Sequence, residues 1–179
     1  YLHSDGSLKT TRPDPNAAPS KYTFDPNDPV PTIGGAFSGS DIAPSGAFDQ
    51  RETAKVFGAK APYEPLKARA DVKVFQTAPL AEGVEVVGPI VVKLFASSSA
   101  VDTDFTAKLV DVYPDGKAYN LDEQALRVRW RDGWDAPVFM EKDKVYKVTL
   151  PPLVTSNTFQ AGHRIRISVT SSSFPVYER

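Results

Sequence analysis

From about Asp71 onward, apolar and polar residues alternate in short runs bounded by Gly, Pro, Asp and Asn. The runs are ADVKVFQT, VEVVG, PIVVKLFASSS, TDFTAKLVDVY, KAYNL, ALRVRWR, DKVYKVTL and HRIRISVTSSS. No amphipathic helical stretch of ten or more residues separates them, so the pattern predicts eight strands and an all-β sandwich. Two runs show the period clearly. Leu126, Val128 and Trp130 are expected on one face and Arg127, Arg129 and Arg131 on the other; likewise Ile165, Ile167 and Val169 oppose Arg164, Arg166 and Ser168. Between two runs lies Tyr113-Pro114-Asp115-Gly116, in which proline presets φ and glycine supplies a left-handed residue; it predicts a tight antiparallel turn.

The first 70 residues read differently. Nine of the 16 prolines fall within the first 65 positions, beside Gly34, Gly35, Gly39 and Gly46. Proline removes backbone donors and fixes φ, so this stretch is expected to carry neither regular helix nor central strand. A short helical turn over 50–57 is the one exception the pattern allows. The large apolar residues Tyr22, Phe24, Val30, Ile33, Phe37 and Phe48 favour a strap lying on a surface over a free linker. The expected organisation is therefore an extended leader over 1–70 and a sandwich over 71–179.

Composition narrows the function. The chain of 179 residues is 41% hydrophobic and 24% charged, suited to one folded core. A net charge of -1 gives no basic field for nucleic acid or an anionic membrane, and neither is expected as a partner. No run of about 18 apolar residues exists and the start has no signal-peptide pattern, so compartment stays open between cytoplasmic and periplasmic or secreted. With no cysteine, disulfides, thiolate nucleophiles and Cys-ligated zinc are excluded.

Candidate chemistry is sparse. The G-x-S-x-G elbow of an α/β-hydrolase is absent, and Ser38 and Ser40 in GGAFSGSD read as parts of a flexible turn. Phosphate-binding glycine loops are missing as well. Asp102 and Asp104 bracket Thr103 before a strand; the spacing suits either a hard cation or an ion pair with arginines such as Arg164 and Arg166 in HRIRIS or those in LRVRWR. The ion-pair reading is preferred, and no cofactor or metal is expected. His3 lies at the terminus and His163 at the start of a strand, where a structural hydrogen bond is the expected role. Trp130, Trp134, Tyr113 and Tyr119 are candidates for an aromatic platform, the basis of an alternative reading as a free-standing carbohydrate- or small-ligand-binding module.

Three strings go further: DPNDPVPTIGG at 25–35, SSSAVDTDFTAKLVDVYPDGKAYNL at 97–121 and FQAGHRIRISVTSSSFPVYER at 159–179. Together they resemble the C-terminal part of the acyl esterases related to cocaine esterase, α-amino acid ester hydrolases, glutaryl acylases and X-Pro dipeptidyl-peptidases, departing from it near 57–66. The resemblance implies a galactose-binding-like jelly roll with no catalytic residue of its own. Its partners would be an α/β-hydrolase domain carrying the Ser, Asp and His triad and a helical cap, both upstream in the same polypeptide. Further sequence, including a strand, is implied after FPVYER. Tyr22, Phe24 and Ile33 are then the expected docking residues, exposed in the isolated chain, with self-association into a homo-oligomer as a consequence.

Overall fold

The structure is a computed structural model, and it describes residues 1–36 and 44–177. Eight strands follow one another: β1 (Lys73–Gln76), β2 (Val84–Ile90), β3 (Lys93–Ala96), β4 (Asp104–Val112), β5 (Ala118–Arg127), β6 (Tyr146–Thr149), β7 (Leu153–Phe159) and β8 (Arg164–Thr170). All pair antiparallel, β1 with β8, β2 with β7, β3 with β6 and β4 with β5, and β4 also pairs with β8. The pairs nest inside one another. A chain folded back once at the β4–β5 turn and then rolled gives this order, which is the logic of a jelly roll.

One layer is the four-stranded sheet β1-β8-β4-β5. The other is a single long ribbon, because β2 and β3 run on from each other opposite β6 and β7. Ile90 faces Leu153 and Lys93 faces Thr149, so two residues on one strand oppose three on the other. The extra residue falls at Pro151-Pro152, which have no N–H to offer the ladder, and the Leu150 amide bridges the break by donating to the Val92 carbonyl at 3.0 Å. Between sheet and ribbon lies the main core, built from Phe75, Leu94, Phe105, Ala107, Leu109, Leu126, Val148, Leu153, Phe159, Ile167 and Val169.

Strand β4 is buried from Phe105 to its end, on both faces. Phe105, Ala107 and Leu109 point into the core, while Thr106, Lys108 and Val110 lie under the leader, in a cavity they share with Val30, Leu66 and Val72. Val30, Ile33, Leu66 and Val72 form a second apolar cluster there. Residues 30–36 and 44–72 thus make a third layer. The leader's first residues also extend the sheet: Leu8 N donates to Gln76 O at 2.8 Å and Gln76 N to Gly6 O at 2.9 Å.

Some sequence expectations change. KAYNL and ALRVRWR are one strand as far as Arg127, after which Val128–Trp130 turn as a 3-10 segment, so Trp130 and Arg131 leave the alternation. Strand β7 has no counterpart among the expected runs. No helix forms over 50–57; the regular turn of the leader is a 3-10 segment at Leu66–Ala68. The turn at Tyr113-Pro114-Asp115-Gly116 is as expected, closed by Gly116 N donating to Tyr113 O at 3.0 Å with Gly116 at φ 91°.

Candidate functional site

The two acidic candidates are both tied to arginine. Asp104 takes a two-pronged pair from Arg127, with Nε to Oδ1 at 2.9 Å and Nη2 to Oδ2 at 3.0 Å. Asp102 accepts the Arg129 Nε at 2.5 Å and the Arg129 amide at 3.1 Å. Their partners come from the LRVRWR string, and Arg164 and Arg166 do not take part. Register explains this: Asp104 stands opposite Arg127 on β5, whereas Arg166 and Arg164 stand opposite Val110 and Val112 at the far end of β4. Arg164 donates to the Thr77 carbonyl at 2.9 Å, and Arg166 donates from Nε and Nη2 to Gln76 Oε1 at 3.2 and 3.1 Å. Among the described residues no group of three or more potential metal ligands gathers at Asp102 and Asp104 or elsewhere.

His163, at the mouth of β8, bonds through Nδ1 to Asp111 Oδ1 at 2.9 Å and lies 4.2 Å from the Tyr113 ring centroid. Both side chains are buried, and the bond ties the start of β8 to β4. His3 bonds to the Thr11 carbonyl at 3.0 Å. Ser38 and Ser40, like Phe37, lie outside the described residues. The aromatic candidates separate into two groups: Trp130 stacks on Trp134 at 5.8 Å, while Tyr113 meets Tyr119 edge-on at 5.1 Å beside His163.

The leader candidates are engaged within the chain itself. Ile33 is buried in the second cluster. Tyr22 shares a 2.8 Å hydrogen bond with the Ser171 hydroxyl, and burial pushes its phenol up to about 12. Phe24 is half-buried along the cleft between the leader and the ribbon. These residues fasten the leader to its own sandwich, which corrects the expectation that Tyr22 and Ile33 stand free.

A clamp that sequence reasoning passed over does most of the fastening. In the sequence pattern the serines at 171–173 do no more than close the last run. In the structure Ser172 Oγ accepts the Val30 amide at 2.9 Å and Ser173 Oγ meets Thr32 Oγ1 at 2.9 Å. Phe174 and the leader exchange backbone bonds, Thr32 N to Phe174 O at 2.8 Å and Phe174 N to Val30 O at 2.9 Å. Deeper in, Gln50 donates to the Ile33 and Phe48 carbonyls at 2.9 and 3.0 Å while accepting Lys108 Nζ at 2.9 Å. Lys108 also faces Glu123 at 3.5 Å. At the rim, Arg69 joins Asp71 through two 2.9 Å bonds and reaches Asp28 and Glu52; the Asp71 carboxylate, above all, raises its pKa.

On the opposite side, the outer face of the ribbon reads Glu85, Val87, Pro89, Val91, Lys93, Phe95 along one strand. Phe95 is 77% exposed, Val87 67% and Val91 51%, and Val154 at 60% stands directly across from Pro89. A solvated sheet face alternates apolar-in with polar-out; along β2–β3 four of these six outward positions are apolar, while Thr158, Ser156, Thr149 and Lys147 stand across from Glu85, Val87, Lys93 and Phe95.

This combination, paired acids, a histidine locked to an aspartate, a polar clamp and an apolar outer face, defines a β-sandwich whose chemistry is structural. The chain belongs to the X-Pro dipeptidyl-peptidase C-terminal non-catalytic domain family, which matches residues 1–179. It is 43% identical over 176 residues to cocaine esterase of Rhodococcus sp. (strain MB1 Bresler), an alignment covering 97% of this chain and 28% of that protein. Among solved structures, an aminopeptidase from a marine sediment Thaumarchaeota archaeon superposes with a TM-score of 0.78 at 32% identity, over 100% of this chain and 30% of that one. An α-amino acid ester hydrolase gives a TM-score of 0.77 at 27% identity, over 100% of this chain and 29% of that one. The chain therefore spans under a third of the length of these relatives.

Proposed function

We propose that this domain supports the active site of a serine hydrolase acting on esters, amides or X-Pro peptides through an acyl-enzyme, and that it does so by docking on the catalytic part of the same polypeptide through the outer face of the β2–β3/β6–β7 ribbon. The observation that carries the reading is the row Val87, Pro89, Val91 and Phe95 with Val154 beside it. Burying an apolar row of this kind contributes roughly 25 cal/mol per Å² removed from water. The occupant is the remainder of the polypeptide. Relatives of this chain are more than three times its length, and an interface within one polypeptide forms at high effective concentration. The role of the leader is then internal: it rigidifies the sandwich, and the ribbon meets the neighbour.

The test uses the polypeptide that includes the hydrolase part. Val91→Asp with Phe95→Asp should shorten the half-life of ester hydrolysis at elevated temperature at least several-fold, while residues 1–179 carrying the same changes melt at the unchanged temperature. An unaltered inactivation half-life would remove the ribbon as the docking face.

A further inference from the structure

Beneath the leader, against the outer face of the four-stranded sheet, lies a small polar space. A cavity of about 20 Å³ lies there, lined by Gln50, Thr106, Lys108, Glu123, Arg166 and Thr170 together with apolar leader residues. Among the described residues, three polar atoms carried by its lining residues, Thr106 Oγ1, Thr170 Oγ1 and Glu123 Oε1, are buried and have no protein hydrogen-bond partner. The two threonines face each other across the β4–β8 ladder, 1% and 6% exposed. Arg166 is 4% exposed, and among the described residues no carboxylate lies within ion-pair distance of it; its Nε and Nη2 both turn to the neutral Gln76.

We infer that this cavity is a binding site for ordered water, which hydrogen-bonds Thr106, Thr170 and Glu123 and joins the leader layer to the sheet. Three orphaned polar atoms around one space are costly when dry, since each carries an unrecovered desolvation penalty. The space exceeds the roughly 10–15 Å³ that one water requires, and the polar lining supplies the two to four partners an internal water takes. Charge chemistry separates water from the competing occupant, a small anion such as chloride. Lys108 and Arg166 against Glu123 leave a surplus positive charge that would attract an anion, and the threonine hydroxyls would donate to it. An anion has no hydrogen to give, however, and the free Glu123 oxygen needs a donor. Water satisfies both sides: it accepts from hydroxyl, ammonium or guanidinium and donates to the carboxylate.

Thr106→Val and Thr170→Val keep the side-chain shape and remove only the hydroxyl, so they read the site by sign. If water is bound, each variant loses hydrogen bonds and Tm falls by about 2–6 °C. In a dry cavity, removing an orphaned hydroxyl raises Tm, and that result overturns the inference. A crystal structure of the unaltered chain grown in bromide decides the matter should either variant fail to fold. Water density within hydrogen-bond distance of Thr106 or Thr170 and Glu123 supports the site; an anomalous bromide peak or an empty cavity refutes it.

Discussion

Tyr22 shows how a single side chain couples the leader to the sheet and to pH. Its ring packs against the main core, and its hydroxyl meets Ser171. Burial makes the phenolate unfavourable, so the folded phenol titrates near 12 against 10 in a free chain. Above pH 10 the unfolded state therefore releases a proton that the folded state keeps, and stability falls as pH rises from about 10 to about 12; below 10 this contribution is fully present. Tyr177 is raised in the same way, first by burial and then by Glu123 and Asp122, and steepens the same limb. Tyr22→Phe is expected to lower stability at pH 7 by about 1 kcal/mol through the lost hydrogen bond, yet to lose less on going to pH 12 than the unaltered chain. Urea denaturation across that range measures both effects, and parallel alkaline limbs would show that the phenol is not held protonated.

Elements were legible where their residues obey one rule and illegible where two compete. The β4–β5 hairpin follows from two strand-forming runs joined by a Pro-Asp-Gly turn, and its register, shifted once between Leu109 and Val110, then decides which arginine Asp104 meets. Sequence named Asp102 and Asp104 as ion-paired, but pairing partners depend on strand neighbours, and the choice between the arginines of LRVRWR and those of HRIRIS is invisible along the chain. Strand β7 escaped for a physical reason. Its inward positions are Leu153, Thr155, Asn157 and Phe159, so two of four are polar, and Pro151-Pro152 before it read as a breaker. The glycine pair at 34–35 was read as flexibility, whereas it serves a close approach. Gly34 has φ +68°, and a Cβ there would lie 2.5 Å from the Gly46 carbonyl oxygen and 2.8 Å from the Phe48 ring. Gly35 and Gly46 exchange backbone bonds at 2.9 and 2.8 Å at this crossing. Gly34→Ala is expected to destabilise by about 2–4 kcal/mol, since neither backbone nor ring can recede far. Gly35→Ala meets nothing within 4 Å among the described residues, so its expected cost is backbone strain at φ +119° and should be smaller. Equal losses in the two variants would show that crowding at Gly34 is not what matters.

At the scale of the whole molecule, the division into a leader over 1–70 and a sandwich over 71–179 is a statement about sequence pattern, and the contacts argue for one cooperative body. The outer face of the four-stranded sheet carries Thr106, Lys108, Val110, Glu123, Arg166 and Thr170, a mixture of charge and β-branched carbon that is stable only under a lid. That lid is residues 30–36 and 44–72, which supply Gln50 to Lys108, the Val30–Ile33–Leu66–Val72 cluster to the sheet, and a backbone donor to Ser172. The edge strand β1 has four residues and leans on Gly6 and Leu8 for its outer bonds. A protein beginning at Asp71 would thus keep its main core while exposing the second cluster, an edge and a buried lysine–glutamate pair at once. It is expected to bind a hydrophobic dye such as ANS, to unfold over a broad range, and to recover a sharp transition when a separately made 1–70 peptide is added. A sharp thermal transition of 71–179 alone, at the temperature of the intact chain, would mean that the leader is an appendage after all. The distinction bears on the proposed function, because a ribbon docked on a catalytic part would transmit only as much rigidity as the sheet behind it possesses, and in this chain that rigidity is assembled from both ends of the sequence.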